Sequence, residues 1–173
     1  MLFRFYPFLS SFKAFNTCLL IIATLTCLIA GLSANTECDI KKIIALSTLR
    51  QLGVIIVRLG LGAPLLAFFH LITHALFKAL LFICAGTLIH LHHHSQDLRY
   101  IGNLMPQIPS IVAPIIVANL ALCGTPFLAG FYSKDAILEY SLYSPTSTII
   151  IFLFFFATGL TVRYTLRFLA TVV

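Results

Sequence analysis

The sequence predicts an all-α protein, a polytopic bundle of about five membrane-spanning helices. Of its 173 residues, 60% are hydrophobic and only 9% are charged, and the mean hydropathy is +1.05, whereas soluble domains carry roughly a quarter of charged residues. The apolar stretches are continuous rather than alternating, which favours helices. About five spans of roughly 20 residues use the whole length. The sequence therefore predicts a single transmembrane domain.

The spans are delimited by polar stretches and by glycine and proline. The run SANTECDIKK separates the first two spans, and Gly60, Gly62 and Pro64 separate the second from the third. The second span contains lysine, arginine and glutamine, so we expect it to pack within the bundle. The predicted spans are residues 15–32, 40–61, 65–90, 108–142 with a break near 124–130, and 148–169.

Three ionisable residues follow one another at four-residue steps inside the third span: His70, His74 and Lys78. Each step turns a helix by about 400°, so the three side chains share one face. A cation in the middle of a membrane costs roughly 2.5–3.5 kcal/mol, and such residues normally face a bundle interior and serve ion or proton movement. The spacing predicts a proton relay. The alternative is a set of polar contacts between helices.

The fourth span is interrupted by a break from Gly124 to Pro126. Proline removes a backbone donor, and broken helices expose backbone dipoles at ion sites in transporters. Lys134 and Asp135 follow this break within a few residues. We expect Lys134 to be a relay group and Asp135 a modulator of its charge, with a loop salt bridge or an interfacial anchor as the alternative.

Lys42, with Lys41 beside it, stands at the start of the second span and is either a further relay station or an interfacial anchor. The other basic residues are scattered singly, which disfavours nucleic-acid binding despite the net charge of +6. The chain has no Gly-rich nucleotide motif and no Cys-x-x-Cys pair, so we expect no cofactor in this chain. A solvated cap is favoured over a metal site for the cluster His90, His92, His93 and His94.

Four stretches of the sequence, in order, resemble one known family. They are DIKKIIALSTLRQLG, FHLITHALFKALLFICAGTLIH, SQDLRYIGNL and LALCGTPFLAGFYSKDAILE, and they are similar to chain 5 of NADH:ubiquinone oxidoreductase, respiratory complex I. That family has an antiporter-like core of two inverted five-helix repeats, of which this chain would contain the second. By resemblance, the relay consists of Lys42 (less well matched by Lys41), His70, His74, Lys78 and Lys134.

The resemblance also implies a cellular setting. The chain would lie in the mitochondrial inner membrane, with a bacterial plasma membrane as the alternative, among other hydrophobic membrane-arm subunits of complex I. NADH, FMN, iron–sulfur clusters and ubiquinone would bind to other subunits, and this chain would translocate protons. The alternatives are a subunit of a multi-subunit cation/proton antiporter and a structural fragment without a complete proton path.

Two departures from the family pattern accompany this resemblance. The family's subunit is much longer, so we expect a fragment, a partial sequence or one half of a split subunit. Arg50 and Arg58 stand where the family usually has small or apolar residues, which implies different local packing around the second span.

Overall fold

The computed structural model describes residues 2–92, 95–102, 104–143 and 148–172. Within those residues the chain forms seven helices and no strand, apart from an isolated bridge between Asp39 and Asp97. The all-α prediction is confirmed. The helices are α1 (Leu2–Leu9), α2 (Lys13–Thr36), α3 (Ile40–Gly60), α4 (Pro64–Leu91), α5 (Pro109–Cys123), α6 (Ala129–Tyr143) and α7 (Thr148–Val172).

Among the described residues, α2, α3, α4 and α7 are long and apolar enough to cross a membrane. The paired helices α5 and α6 have 15 residues each, about 22 Å of helix, which is shorter than a hydrocarbon core of roughly 30 Å. Neither is long enough to cross alone, so the fourth predicted span corresponds to both helices in succession. Helix α1 was not predicted; its Tyr6 packs in a cluster with α2, α3 and α4.

The predicted break lies between α5 and α6. Gly124 ends α5 with a φ of 85°, the left-handed conformation that favours glycine after a helix. At the start of α6, a Cβ added to Gly130 would lie 1.7 Å from the carbonyl oxygen of Ala121. The backbones of α5 and α6 therefore approach closely only because residue 130 has no side chain.

Helix α3 lies inside the bundle, as its polar residues predict. It packs between α2 and α4, and a Cβ added to Gly53 would lie 2.5 Å from the sulfur of Cys27 on α2. Gly60 approaches Leu20 on α2 in the same way, with 2.8 Å to its Cγ. Small residues at such contacts let membrane helices pack closely, so α2 and α3 form one tight pair.

Hydrogen bonds close one end of the bundle. The segment after α4 runs beside the start of α3, where the Leu98 amide donates to the Cys38 carbonyl at 3.0 Å. Arg167 on α7 donates to the carbonyl oxygen of Ala34 at 3.2 Å and also to those of Asn35 and Glu37. A cation is well placed there, because the last carbonyls of a helix such as α2 lack intrahelical partners and carry negative partial charge.

Candidate functional site

The three ionisable residues of α4 point into the bundle. His70, His74 and Lys78 are 0%, 7% and 4% exposed, while apolar neighbours on the opposite face, such as Leu76, are exposed. The spacing therefore places the stripe on the buried face of the helix, as predicted. A helix with polar residues inside and apolar residues outside is the arrangement expected when ionisable groups line an internal path.

His70 connects three helices. Its Nδ1 lies 3.0 Å from the Ser133 hydroxyl on α6, and its Nε2 lies 3.3 Å from Oε1 of Gln51 on α3. A neutral imidazole donates through one nitrogen and accepts through the other, and a hydroxyl can do either. Both tautomers of His70 therefore have partners, once the Gln51 amide is oriented to match. This is the arrangement that lets a ring accept a proton on one side and release one on the other.

His74 lies between the other two members of the stripe. Its ring stacks on the ring of His70 with centroids 6.2 Å apart, and it meets Phe77 edge-on at 5.4 Å. Its Nε2 is buried and finds no hydrogen-bond partner among the described residues. A buried imidazole nitrogen of this kind is available to a water molecule or an incoming proton.

Lys78 is held by α3. Its ammonium group donates to the Ser47 hydroxyl and to the Ile44 carbonyl oxygen, the latter at 3.4 Å. No carboxylate of the described residues lies within ion-pairing distance of it; the only ion pairs found there involve Lys42 and Arg99. A buried lysine with neutral partners is easier to deprotonate than one paired with a carboxylate, which suits a relay station.

Lys134 contacts the end of α5 at the break. Its ammonium group donates to the carbonyl oxygen of Leu122, one of the last four carbonyls of α5, which have no intrahelical donor. The side chain lines a groove of about 240 Å³ with Cys123, Gly124 and Thr161. Electrostatic interactions connect Lys134 with all three members of the α4 stripe. The structure therefore brings four of the five predicted relay residues into one electrostatic cluster.

The fifth, Lys42, lies elsewhere. Its side chain is 63% exposed and pairs with Asp39 at 2.9 Å and with Glu37 at 3.8 Å. Lys41 is exposed beside it. Lys42 thus lies at the start of α3, outside the cluster formed by the other four, and its assignment as a relay station stays a prediction.

Asp135 is exposed on α6 and lines the same groove as Lys134. It forms no ion pair with Lys134 in the described part of the chain. Its role as a modulator stays a prediction.

The histidine cluster spans the end of α4. His90 belongs to its last turn and His92 follows it, whereas His93 and His94 lie outside the described residues. In the part of the chain that the structure describes, no group of three or more His, Cys, Asp or Glu side chains could hold a metal ion.

The partners of the stripe were not assigned a role from the sequence. Ser47 and Gln51 stand four residues apart on α3, a polar stripe that could have been recognised by the same spacing argument as on α4. Ser133 and Tyr164 had no such signal, because their proximity to the stripe depends on how α6 and α7 pack. His70 and Ser133 are 63 residues apart in sequence.

Two further cations are buried in α3. Arg50 and Arg58 are both 0% exposed; Arg50 donates to the Ala157 carbonyl oxygen at 2.5 Å, and Arg58 donates to that of Ala136 at 2.9 Å. Arg58 also lies over the ring of Tyr140, 4.8 Å from its centroid. Two nitrogens of each guanidinium have no partner within the described residues. The described residues therefore supply each arginine with fewer hydrogen-bond acceptors than its donors could use.

The family model described as NADH:quinone oxidoreductase/Mrp antiporter, TM, matches residues 1–161. The chain belongs to this family. Proteins named NADH-ubiquinone oxidoreductase chain 5 are similar to it: that of Lumbricus terrestris is 59% identical over 100% of this chain, and that of Aedes aegypti is 54% identical over 96%. The resemblance to chain 5 is thus confirmed. The chain covers 30% and 29% of these relatives' lengths.

Chains of two solved membrane complexes have a similar fold. A chain of the Mrp complex from Dietzia is 28% identical, with a TM-score of 0.86 over 97% of this chain and 19% of that chain. A chain of the membrane-bound sulfane sulfur reductase, an archaeal respiratory membrane complex, is 25% identical, with a TM-score of 0.80 over 91% of this chain and 33% of that chain. The antiporter-like membrane fold is confirmed.

Proposed function

We propose that the chain forms a proton-conducting part of the membrane arm of a proton-translocating NADH:ubiquinone oxidoreductase. The observation that carries this proposal is the buried stripe of His70, His74 and Lys78, which faces Lys134 across the bundle interior. Ionisable groups buried at membrane depth without carboxylate partners are costly to keep. Proton transfer gives them a use that structural contacts alone do not.

The enzyme assignment is that of a translocase subunit. The NADH, FMN, iron–sulfur and ubiquinone chemistry takes place in other subunits, and this chain contributes no redox group. The proposal places it in the mitochondrial inner membrane, because the similar chain 5 proteins come from animals. Its partners are other hydrophobic subunits of the membrane arm, which would cover the apolar side chains exposed on α4 and α7.

The mechanism uses side chains and bridging water. A proton released by Lys78 passes along α4 to His74 and then to His70. Successive members of this stripe are about 6 Å apart along the helix axis, close enough for one bridging water. At His70, a proton accepted at one ring nitrogen is matched by release from the other, toward Gln51 or Ser133. Charge on Lys134 opposes charge on Lys78, so loading one station favours emptying the other.

The first experiment is Lys78→Met in the assembled complex, reconstituted in liposomes. Methionine keeps the length and loses the charge, so we expect proton pumping to fall at least tenfold, the effect of losing about 1.4 kcal/mol of transition-state stabilisation. The measurement is proton uptake per NADH oxidised. Arg163→Met, a change of charge on the exposed face of α7, is the matched control and should leave pumping intact.

The same assay tests whether Lys42 belongs to the proton path. Because Lys42 is exposed and paired with Asp39 and Glu37, we expect Lys42→Gln to reduce pumping less than Lys78→Met. Unaltered pumping in Lys42→Gln removes Lys42 from the path. Unaltered pumping in Lys78→Met, with the complex assembled, contradicts the proposed function and supports a purely structural role for the chain.

A second candidate function is a subunit of a cation/proton antiporter. The similarity to a chain of the Mrp complex, with a TM-score of 0.86, favours it. The two functions differ in their driving reaction: antiport requires a sodium gradient and no NADH. Sodium-driven proton movement that persists without NADH would identify the antiporter.

A further inference from the structure

A small cavity adjoins the stripe on the side of α5 and α7. Its volume is about 10 Å³, room for roughly one water molecule. Its polar lining consists of Ser47, Lys78, Asn119 and Tyr164, and the rest of the wall is apolar. A buried water needs two to four polar partners, and this cavity offers four candidates.

Tyr164 is the member of this lining whose hydroxyl lacks a well-formed hydrogen bond, although it lies close to the Arg50 guanidinium. Tyr164 is 2% exposed, and its hydroxyl makes no hydrogen bond with any described residue. A buried hydroxyl without a partner costs roughly 1–3 kcal/mol, so a partner at this position is expected. Ser47, which binds Lys78, lies beside the same hydroxyl.

Helix α7, which carries Tyr164, is packed against α5 at the next residue. Thr165 is completely buried and lies 2.6 Å from the sulfur of Cys123, oxygen to sulfur. This contact holds α7 against the last turn of α5. The hydroxyl of Tyr164 is therefore presented to the cavity by a packed helix and not by a loop.

The cavity also reaches the break. Leu122 forms part of its wall, and the carbonyl oxygen of Leu122 is the acceptor for Lys134. Lys78 borders the cavity on one side, and the carbonyl that binds Lys134 belongs to a residue on the other. A single water in this cavity would lie between the unbroken helix α4 and the broken pair α5 and α6.

We propose that Tyr164 is a positioning residue whose hydroxyl holds one water molecule against Lys78 and so connects the stripe on α4 with Lys134 at the break. This inference rests on the proposed function. The water accepts a proton from the Lys78 ammonium while it donates one of its own onward, so its charge is unchanged after each transfer. Tyr164 stays protonated throughout and fixes the orientation of the water.

The test is Tyr164→Phe in the reconstituted complex, which removes one oxygen and keeps the ring. We expect pumping to slow roughly fivefold, the factor that corresponds to one lost hydrogen bond. The solvent deuterium isotope effect on pumping should rise, because proton transfer becomes the slow step. Tyr6→Phe is the matched control: Tyr6 is also buried, at 7% exposed, but packs in a separate cluster, and its pumping and isotope effect should not change.

Three other outcomes overturn the inference. If Lys78→Met stops pumping while Tyr164→Phe leaves the rate and the isotope effect unchanged, the inference fails and the proposed function stands. If both variants pump normally, the proposed function fails as well. If Tyr164→Phe slows pumping with no change in isotope effect and with a lowered thermal midpoint, the residue acts through packing only.

Cryo-electron microscopy adds a direct readout. Water density beside the Tyr164 hydroxyl that is lost in Tyr164→Phe is the expected result. Absence of such density in the unmodified complex would contradict the inference.

Discussion

Lys78 on the unbroken helix α4 is buried and Lys134 on α6, in the broken pair α5 and α6, is half-buried, and the protein binds these two cations differently. Lys78 is met by the Ser47 hydroxyl of a neighbouring helix, whereas Lys134 is met by the free carbonyl of Leu122 at a helix end. The carbonyls of an unbroken helix already accept intrahelical bonds, so the Ile44 carbonyl is a distant second acceptor for Lys78, at 3.4 Å, and the Ser47 hydroxyl is the main one. A broken helix supplies acceptors from its own backbone.

This difference has a consequence for how each site can change. A hydroxyl can rotate and can donate or accept, so Ser47 can follow a change in the protonation of Lys78. A helix-end carbonyl only accepts, and its dipole always favours the cation. The unbroken site is thus suited to exchange of a proton, and the broken site is suited to holding a positive charge.

Gly130→Ala is the largest test of this comparison, because it acts on the break itself. A Cβ at residue 130 would lie 1.7 Å from the Ala121 carbonyl oxygen, so α5 and α6 must separate; we expect a loss of about 3 kcal/mol or more and poor assembly of the complex. The measurement is the thermal midpoint and the yield of assembled complex. Gly86→Ala, on α4, is the control, since nothing lies within 4 Å of its added Cβ. Equal yields for the two variants would show that the break tolerates separation.

Arg50→Met tests whether backbone carbonyls are adequate partners for a cation away from a helix end. Arg50 has one carbonyl acceptor and two nitrogens without partners in the described residues, and methionine fills much of the same buried space without a charge, so this replacement should stabilise the protein by about 2 kcal/mol. Arg167→Ser should do the opposite, because Arg167 binds three carbonyls at the end of α2. The readout is the shift in thermal midpoint of the purified complex. Shifts of the same sign for both variants are incompatible with this explanation.

Ser47→Ala is the smallest of the three changes and acts on the unbroken site. It leaves Lys78 with the Ile44 carbonyl alone, at 3.4 Å, and we expect a loss of about 1–2 kcal/mol in stability together with slower pumping. Thr48→Ala, one position along on α3, removes a hydroxyl that bonds within its own helix and serves as the control. If Thr48→Ala slows pumping as much as Ser47→Ala, the effect comes from α3 in general and not from the contact with Lys78.

The sequence was sufficient for the features that depend on local pattern. The stripe of His70, His74 and Lys78 follows from the period of a helix, and the break follows from Gly124 and Pro126. The positions of Ser133, which contacts His70, and of Tyr164, which shares a cavity with Lys78, could not be predicted, because they depend on the packing of helices far apart in sequence. Lys42 shows the same limit: its position at a helix start is readable, but its pairing with Asp39 and Glu37 instead of the stripe is a tertiary result.

The contacts at both nitrogens of the His70 ring limit how the ring can transfer one proton after another. Each proton that enters at one nitrogen and leaves from the other converts the ring into its alternative tautomer, with Gln51 and Ser133 now exchanging the roles of donor and acceptor. A second proton cannot follow in the same direction until the ring or its partners return to the starting arrangement. Transport through His70 therefore alternates between a proton-transfer step and a step that restores the starting tautomer. Whatever drives the restoring step decides the direction of transport.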